Sequence, residues 1–151
     1  MITIRRLETS ESPPMELLLL ADPSEQLVQE YIHRGQCFVA EREEGIVGVY
    51  VLLPTRPDTV ELVNVAVEES LHGQGIGKQL VNHAVQSARQ LGFTTIEVGT
   101  GSTGVGQLAL YQKCGFRMIG IDRDFFIRHY DEEIYENGMR LYDMVRLSQD
   151  L

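Results

Sequence analysis

Val60-Glu61-Leu62-Val63-Asn64-Val65-Ala66-Val67, then Leu71-His72-Gly73-Gln74-Gly75-Ile76-Gly77-Lys78, then an apolar stripe ending at Leu91, is the passage that decides the fold. The first block is β-branched and aliphatic and reads as a buried strand. Ile76, Leu80, Val81, Ala84, Val85, Ala88 and Leu91 recur at helical spacing, one face of an amphipathic helix. Gly73, Gly75 and Gly77 therefore fall where that helix begins. Glycine inside a helix costs about 1 kcal/mol relative to alanine, so several of them at one helix start point to a need for bare backbone. The first turn of a helix offers unpaired N–H groups and the positive end of the macrodipole. A phosphate or pyrophosphate can rest on such a turn when no side chain intervenes. The plainer alternative is a tight strand-to-helix turn with close packing.

Spacing separates this loop from two common phosphate sites. A Walker loop needs Gly, four residues, then Gly-Lys-Ser/Thr; here Gly77-Lys78 is followed by Gln79 and preceded at the first glycine position by His72. A dinucleotide fingerprint counted from Gly73 would need glycine where Lys78 stands. A second glycine run, Gly99-Thr100-Gly101-Ser102-Thr103-Gly104, does satisfy G-x-G-x-x-G between a strand and a helix, with Asp122 downstream. This leaves a dinucleotide or S-adenosylmethionine binder as an alternative. Its weakness is topology, because the chain after Gly104 has room for only one short helix and two strands. The bland reading of that run is a flexible loop.

His72-Gly73-Gln74-Gly75-Ile76-Gly77, entered from Val65-Ala66-Val67, resembles the pyrophosphate loop of the GNAT superfamily of N-acetyltransferases, with His72 where that family usually carries Arg or Gln. Leu108-Ala109-Leu110-Tyr111-Gln112-Lys113-Cys114-Gly115-Phe116 is similar to the family's later motif, in the family's order. The resemblance runs from residue 2 to residue 147. It implies a single domain over residues 1–151, of mixed α/β class, with a central twisted sheet of about seven strands splayed between the fourth and fifth and about four helices. It also implies acetyl-CoA as co-substrate and direct acetyl transfer to a primary amine of a small molecule or peptide. On this resemblance the backbone of Val65, Ala66 and Val67 pairs with the pantetheine arm. His72, Gly73, Gln74, Gly75, Ile76, Gly77 and Lys78 hold the pyrophosphate, and Tyr111 donates to the leaving thiolate. Glu61 is the candidate base, the only acid within its strand, although a solvated, edge-facing glutamate is the simpler reading. A non-catalytic acyl-CoA-binding sensor, in which Tyr111 is dispensable, is the alternative from another class.

Composition is ordinary for a globular protein. Of 151 residues, 43% are apolar, and no apolar run is long enough to span a membrane. The formal charge of −9 argues against a nucleic-acid partner and suits either simple solubility or a cationic substrate. The opening Met1-Ile2-Thr3-Ile4-Arg5-Arg6 lacks the apolar core of a signal peptide. Cys37 and Cys114 read as buried free thiols, which implies a reducing, cytoplasmic setting. His33, His72, His83 and His129 lack ligand spacing, so no metal site is expected.

The remaining elements follow in order. Residues 2–7 read as a strand, 15–21 as a short helix, and Asp22-Pro23-Ser24-Glu25 as a capping box with Asp22 at the cap. The helix it opens stops at Gly35. Strands are expected at 36–41, 46–53, 94–98 and 139–147, with 116–127 extended. The acidic and aromatic segment 122–136 is expected either to border the acceptor site or to serve as a solvated hairpin or homodimer contact.

Overall fold

Residues 47–53 carry no polar alternation, and the structure explains why. The structure is a computed structural model describing residues 1–151. In it β3 (Gly45–Arg56) is buried on both faces along those residues. It sits inside a seven-stranded sheet ordered β1 (Thr3–Arg6), β2 (Gln36–Arg42), β3, β4 (Thr59–Val67), β5 (Thr95–Gly101), β9 (Met144–Asp150), β6 (Arg117–Asp122). Helices cover both faces. On one side α3 (Ile76–Gln90) and α4 (Val105–Lys113) pack Leu80, Ala84, Ala88 and Tyr111 against Tyr50, Leu52, Leu62 and Val98. On the other, α1 (Met15–Ala21) and α2 (Glu25–Arg34) pack Leu18, Val28 and Tyr31 against Val39, Val49, Val51 and Ala66. No helix is long and apolar enough to cross a membrane.

The centre of the sheet is where it fails to close. Every neighbouring pair is antiparallel except β4 and β5. These two are in register only from Thr59↔Thr95 to Leu62↔Val98, and beyond Leu62 they diverge. A β-bulge in β4 accompanies the split: Leu52 faces Leu62 but Val51 faces Asn64, so Val63 is the extra residue. The bulge turns Asn64 away from Leu62, which packs under α3, and toward α1 and α2.

A buried polar cluster fastens α3 to this sheet. Tyr50 Oη lies 2.7 Å from His83 Nδ1 and 2.9 Å from Ser87 Oγ, and Phe38 stacks on the Tyr50 ring at 4.7 Å. Burial lowers the His83 pKa and raises that of Tyr50.

Several local expectations change. The cap of α2 is Ser24, whose Oγ accepts from Leu27 N at 3.3 Å; Asp22 instead accepts from Ser24 N at 3.1 Å, which leaves its other lone pairs for more distant partners. There are five α-helices rather than about four, because the segment expected to be extended contains α5 (Phe125–Arg128). The expected strand 139–147 is broken into β8 (Met139–Arg140), which pairs with β7 (Tyr135–Glu136), and β9. The break arises because Tyr142 O accepts from Phe126 N and Asp143 O from Ser102 N, outside any ladder. Cys37 and Cys114 are free and half-buried, with burial pushing the Cys37 thiol up to about 12 and Cys114 upward as well.

Gly99 and Gly101 lie within β5, where a Cβ would strike the side chains of Met144 and Leu141. Close packing explains these glycines. The sheet has a single parallel pair, so the doubly wound topology of a dinucleotide fold is absent and that alternative is set aside.

The helix does stop at Gly35, whose φ of −106° and ψ of −173° are ordinary extended backbone. It is glycine because a Cβ there would approach Leu52 O to 2.6 Å. Gly35→Ala is expected to lower stability by roughly 1–3 kcal/mol, seen as a lower urea midpoint at unchanged m.

Candidate active site

The glycine loop follows β4 after one 3-10 turn, Glu69–Leu71. Gly73 and Gly75 take φ of 83° and 80°, the left-handed region that a side chain would strain. Gly75 caps α3, and only Gly77 of the three lies within the helix. No backbone N–H of residues 73–78 donates to a backbone carbonyl; the first to do so is Gln79, to Gly75 O at 3.1 Å. A run of outward peptide donors at a helix N-terminus is a site for an anion. His72 has one ring nitrogen committed within the protein. Its Nε2 lies 2.9 Å from Val67 O, and a carbonyl can only accept, so His72 donates there and ties the loop to the strand.

A cavity of about 420 Å³ opens beside this loop, lined by Val65, Ala66, Val67, His72, Gly73, Gly75, Ile76, Gly77 and Tyr111. These are residues the sequence singled out. Gln74 and Lys78 do not line it. The Gln74 amide accepts from Arg42 Nη2 at 3.0 Å, and Lys78 is exposed near Cys114. Only their backbone belongs to the donor run. Leu110, from the same motif as Tyr111, also lines it, as do Leu20, Ala21, Glu69, Leu71 and Gln107, which were not assigned to the site from sequence.

A second cavity, of about 540 Å³, adjoins the first. Tyr111, Val65, Gln107, Leu20 and Ala21 line both. Tyr111 is 5% exposed and packs edge-on against Phe116 at 5.9 Å. Burial raises its pKa, so the phenol stays protonated.

Glu61 lines the second cavity and is half-buried, not the solvated edge residue of the simpler reading. Burial raises its pKa; Arg146 partly offsets this and Glu97 adds to it. The aromatic segment does border the cavity, through Phe125, Phe126, Tyr130 and Tyr135. Arg146 is held by Asp122 Oδ2 at 3.2 Å and lies over the Phe125 ring at 5.7 Å. Tyr130 donates to Asp22 Oδ1 at 2.9 Å, which fastens this segment to the α1–α2 junction. Tyr31, Asp22 and Arg146 were not found from sequence, where nothing links residues so far apart. No three His, Cys, Asp or Glu side chains converge as metal ligands.

The model of the Acetyltransferase (GNAT) family matches residues 3–116. The chain belongs to that family. It is accordingly an acyltransferase by descent. The N-acetyltransferase YvbK of Bacillus subtilis is 60% identical over 136 residues, covering 90% of this chain and 88% of that protein. An acetyltransferase of Bacillus subtilis solved in complex with CoA superposes with a TM-score of 0.94 at 55% identity, covering 100% of this chain and 99% of that one. A GNAT acetyltransferase of Elizabethkingia anophelis, solved with acetyl-CoA bound, has a TM-score of 0.97 at 41% identity over 99% of this chain and 98% of that one. The splayed sheet and mixed α/β architecture are thus those of the family.

Gly75→Glu would place a carboxylate at the donor run on a backbone of φ 80°. Calorimetric titration with CoA is expected to show affinity reduced at least about tenfold, while the melting temperature stays within a few degrees of wild type.

Proposed function

We propose that the protein is an acetyl-CoA-dependent N-acetyltransferase, acting on a primary amine by direct transfer, with residues 1–151 working as one domain. The observation that carries this reading is Tyr111, which lies between the cavity at the glycine loop and the cavity at Glu61. The first cavity takes the co-substrate. The run of peptide donors at residues 73–78 receives the pyrophosphate. The edge of β4 past Leu62, unpaired toward β5, receives the pantetheine arm as an added strand. The second cavity takes the amine. Its carboxylates and aromatic rings suit a positively charged group on an apolar body. The relatives solved with CoA and acetyl-CoA support the choice of co-substrate.

The proton inventory then assigns roles. An ammonium cannot attack, so a base must hold the amine in its neutral form. Glu61 is the carboxylate of β4 in the acceptor cavity, and burial brings its pKa upward toward the working pH. The amine nitrogen attacks the thioester carbon, the C–N bond forms, and the C–S bond breaks with the electron pair leaving on sulfur. Tyr111 meets that sulfur. A free thiol has a pKa of about 8.5, below the ordinary value of about 10 for a phenol. Burial raises Tyr111 further. Full proton donation to the thiolate is therefore uphill, and the useful act of Tyr111 is a hydrogen bond to the sulfur as charge develops.

Acetyl transfer to a panel of primary amines, followed as thiol release, tests the reading. Tyr111→Phe is expected to lower kcat about a hundredfold with the KM for acetyl-CoA unchanged. Unchanged turnover would remove Tyr111 from the mechanism, whereas CoA binding without acetyl transfer to any amine by the wild type would favour a non-catalytic binding protein that retains the loop. Glu61→Gln is expected to lower kcat about a hundredfold or more. The base works deprotonated, and its pKa is raised. Wild-type kcat/KM should therefore rise with pH through a midpoint above the ordinary glutamate value of about 4.3, and the variant should lose that limb.

A further inference from the structure

The acceptor cavity carries charges of both signs that do not pair with each other. Asp22, Glu61 and Glu136 line it, and Arg146 is its one cation. Two of the three carboxylates are committed within the protein. Asp22 accepts from Ser24 N, Tyr31 Oη and Tyr130 Oη, and Glu136 accepts from Thr103 Oγ1 at 3.0 Å. Glu61 takes part in no ion pair. Arg146 is near enough for its charge to act on Glu61, yet the two do not meet.

Arg146 is also only partly neutralised. Its Nη2 lies 3.2 Å from Asp122 Oδ2, while Arg128 holds the other oxygen of Asp122 at 2.6 Å. One carboxylate thus serves two guanidiniums. A guanidinium has five N–H donors in a planar fork, and this ion pair engages one nitrogen of it. The Arg146 side chain is 39% exposed, and the Phe125 ring beneath it, at 5.7 Å, limits its movement. Register places it on the face of Glu61. Glu61 is opposite Glu97 on β5, Arg146 is opposite Gly99, and residues 97 and 99 of one strand share a face.

We infer that the acceptor is an α-amino acid with an apolar or aromatic side chain, its amine at Glu61 and its carboxylate on the open edge of Arg146. This rests on the acetyltransferase reading above and narrows its substrate. A fixed anion and a fixed cation that share a cavity without touching are the complement of a zwitterion. A planar fork with free donors is suited to a carboxylate, which it can hold through two parallel hydrogen bonds. The third wall is aromatic. The rings of Phe125 and Phe126 lie 5.1 Å apart, and Tyr130 stacks on Phe126 at 5.4 Å, all three on this cavity. A carbon that bears an amine, a carboxylate and an apolar arm addresses the three walls at once. Arg146 is thus a substrate-binding residue that sets specificity, and Asp122 a positioning residue that acts through it.

The test uses pairs that differ by the carboxylate alone: L-phenylalanine with 2-phenylethylamine, L-leucine with 3-methylbutylamine, and L-methionine with 3-(methylthio)propylamine. Wild type should acetylate at least one of these amino acids with kcat/KM at least about tenfold above that of its amine. Arg146→Gln keeps a polar side chain and removes the charge. It should lower kcat/KM for the amino acid by about tenfold to a hundredfold, through KM, and leave the matching amine within about threefold, with the KM for acetyl-CoA unchanged. Each compound is compared with itself across the two proteins, so differences in amine basicity cancel. Loss of the Asp122 and Phe125 contacts alone would weaken both members of a pair alike, so an equal fall overturns the inference. A wild type that prefers the amines overturns it as well. Should Arg146→Gln not fold, L-phenylalaninamide supplies the measurement on wild type: a KM at least about tenfold above that of L-phenylalanine is expected, and an equal KM overturns the inference. Thiol release with other primary amines but with none of the three amino acids overturns this inference alone. No release with any amine overturns the acetyltransferase reading, and this inference with it.

Discussion

A strand in the middle of a sheet must satisfy its backbone N–H and C=O groups on both edges, and past Leu62 β4 does so on only one. Much of the molecule can be understood from that unmet requirement. The gap between β4 and β5 is neither a fray nor an accident of an edge, because antiparallel pairs continue on both outer sides, with β3 and with β9. It is held open by rigid neighbours. The Tyr50–His83–Ser87 cluster anchors α3 on one face, and α1 and α2 close the other. A cleft whose walls are main chain can accept an extended ligand as if it were a missing strand.

The two cavities have different materials. The one at the glycine loop is built from peptide groups and small side chains, so its identity follows from backbone conformation at Gly73 and Gly75. The other is built from side chains brought together by tertiary structure. Tyr31 and Asp22 come from the α1–α2 region, Tyr130 from the segment before β7, Arg146 from β9 and Glu61 from β4. Tyr111 belongs to both walls. On the proposed reading, this arrangement lets one part of the chain keep a common co-substrate while another part sets the acceptor.

That difference in material also decides what could be read from the sequence. The loop was legible because its signal is local: alternating glycines, a preceding aliphatic strand and a following helical stripe are contiguous. The same locality made Tyr111 legible beside Gly115 and Phe116. By contrast, Asp22 looked like a helix cap, because Asp-Pro-Ser-Glu has the composition of one, yet Ser24 takes that role and frees the carboxylate for Tyr31 and Tyr130. Asn64 was hidden by a bulge, since simple alternation would place it on the face of Leu62. Gly99 and Gly101 imitated a nucleotide loop because close packing against Met144 and Leu141 asks for the same residue that phosphate approach does. Local pattern cannot separate those two causes.

The cradle at residues 73–78 has one more property. It is made of peptide N–H groups, and none of these gains or loses a proton in the range where living cells operate. The residues around the acceptor are ionisable by contrast, with Glu61 shifted toward neutrality. Acidification would thus act on Glu61 and leave the peptide donors of the cradle unchanged. On the proposed reading, lowering the pH slows acetyl transfer through Glu61 without weakening the peptide groups that hold the co-substrate.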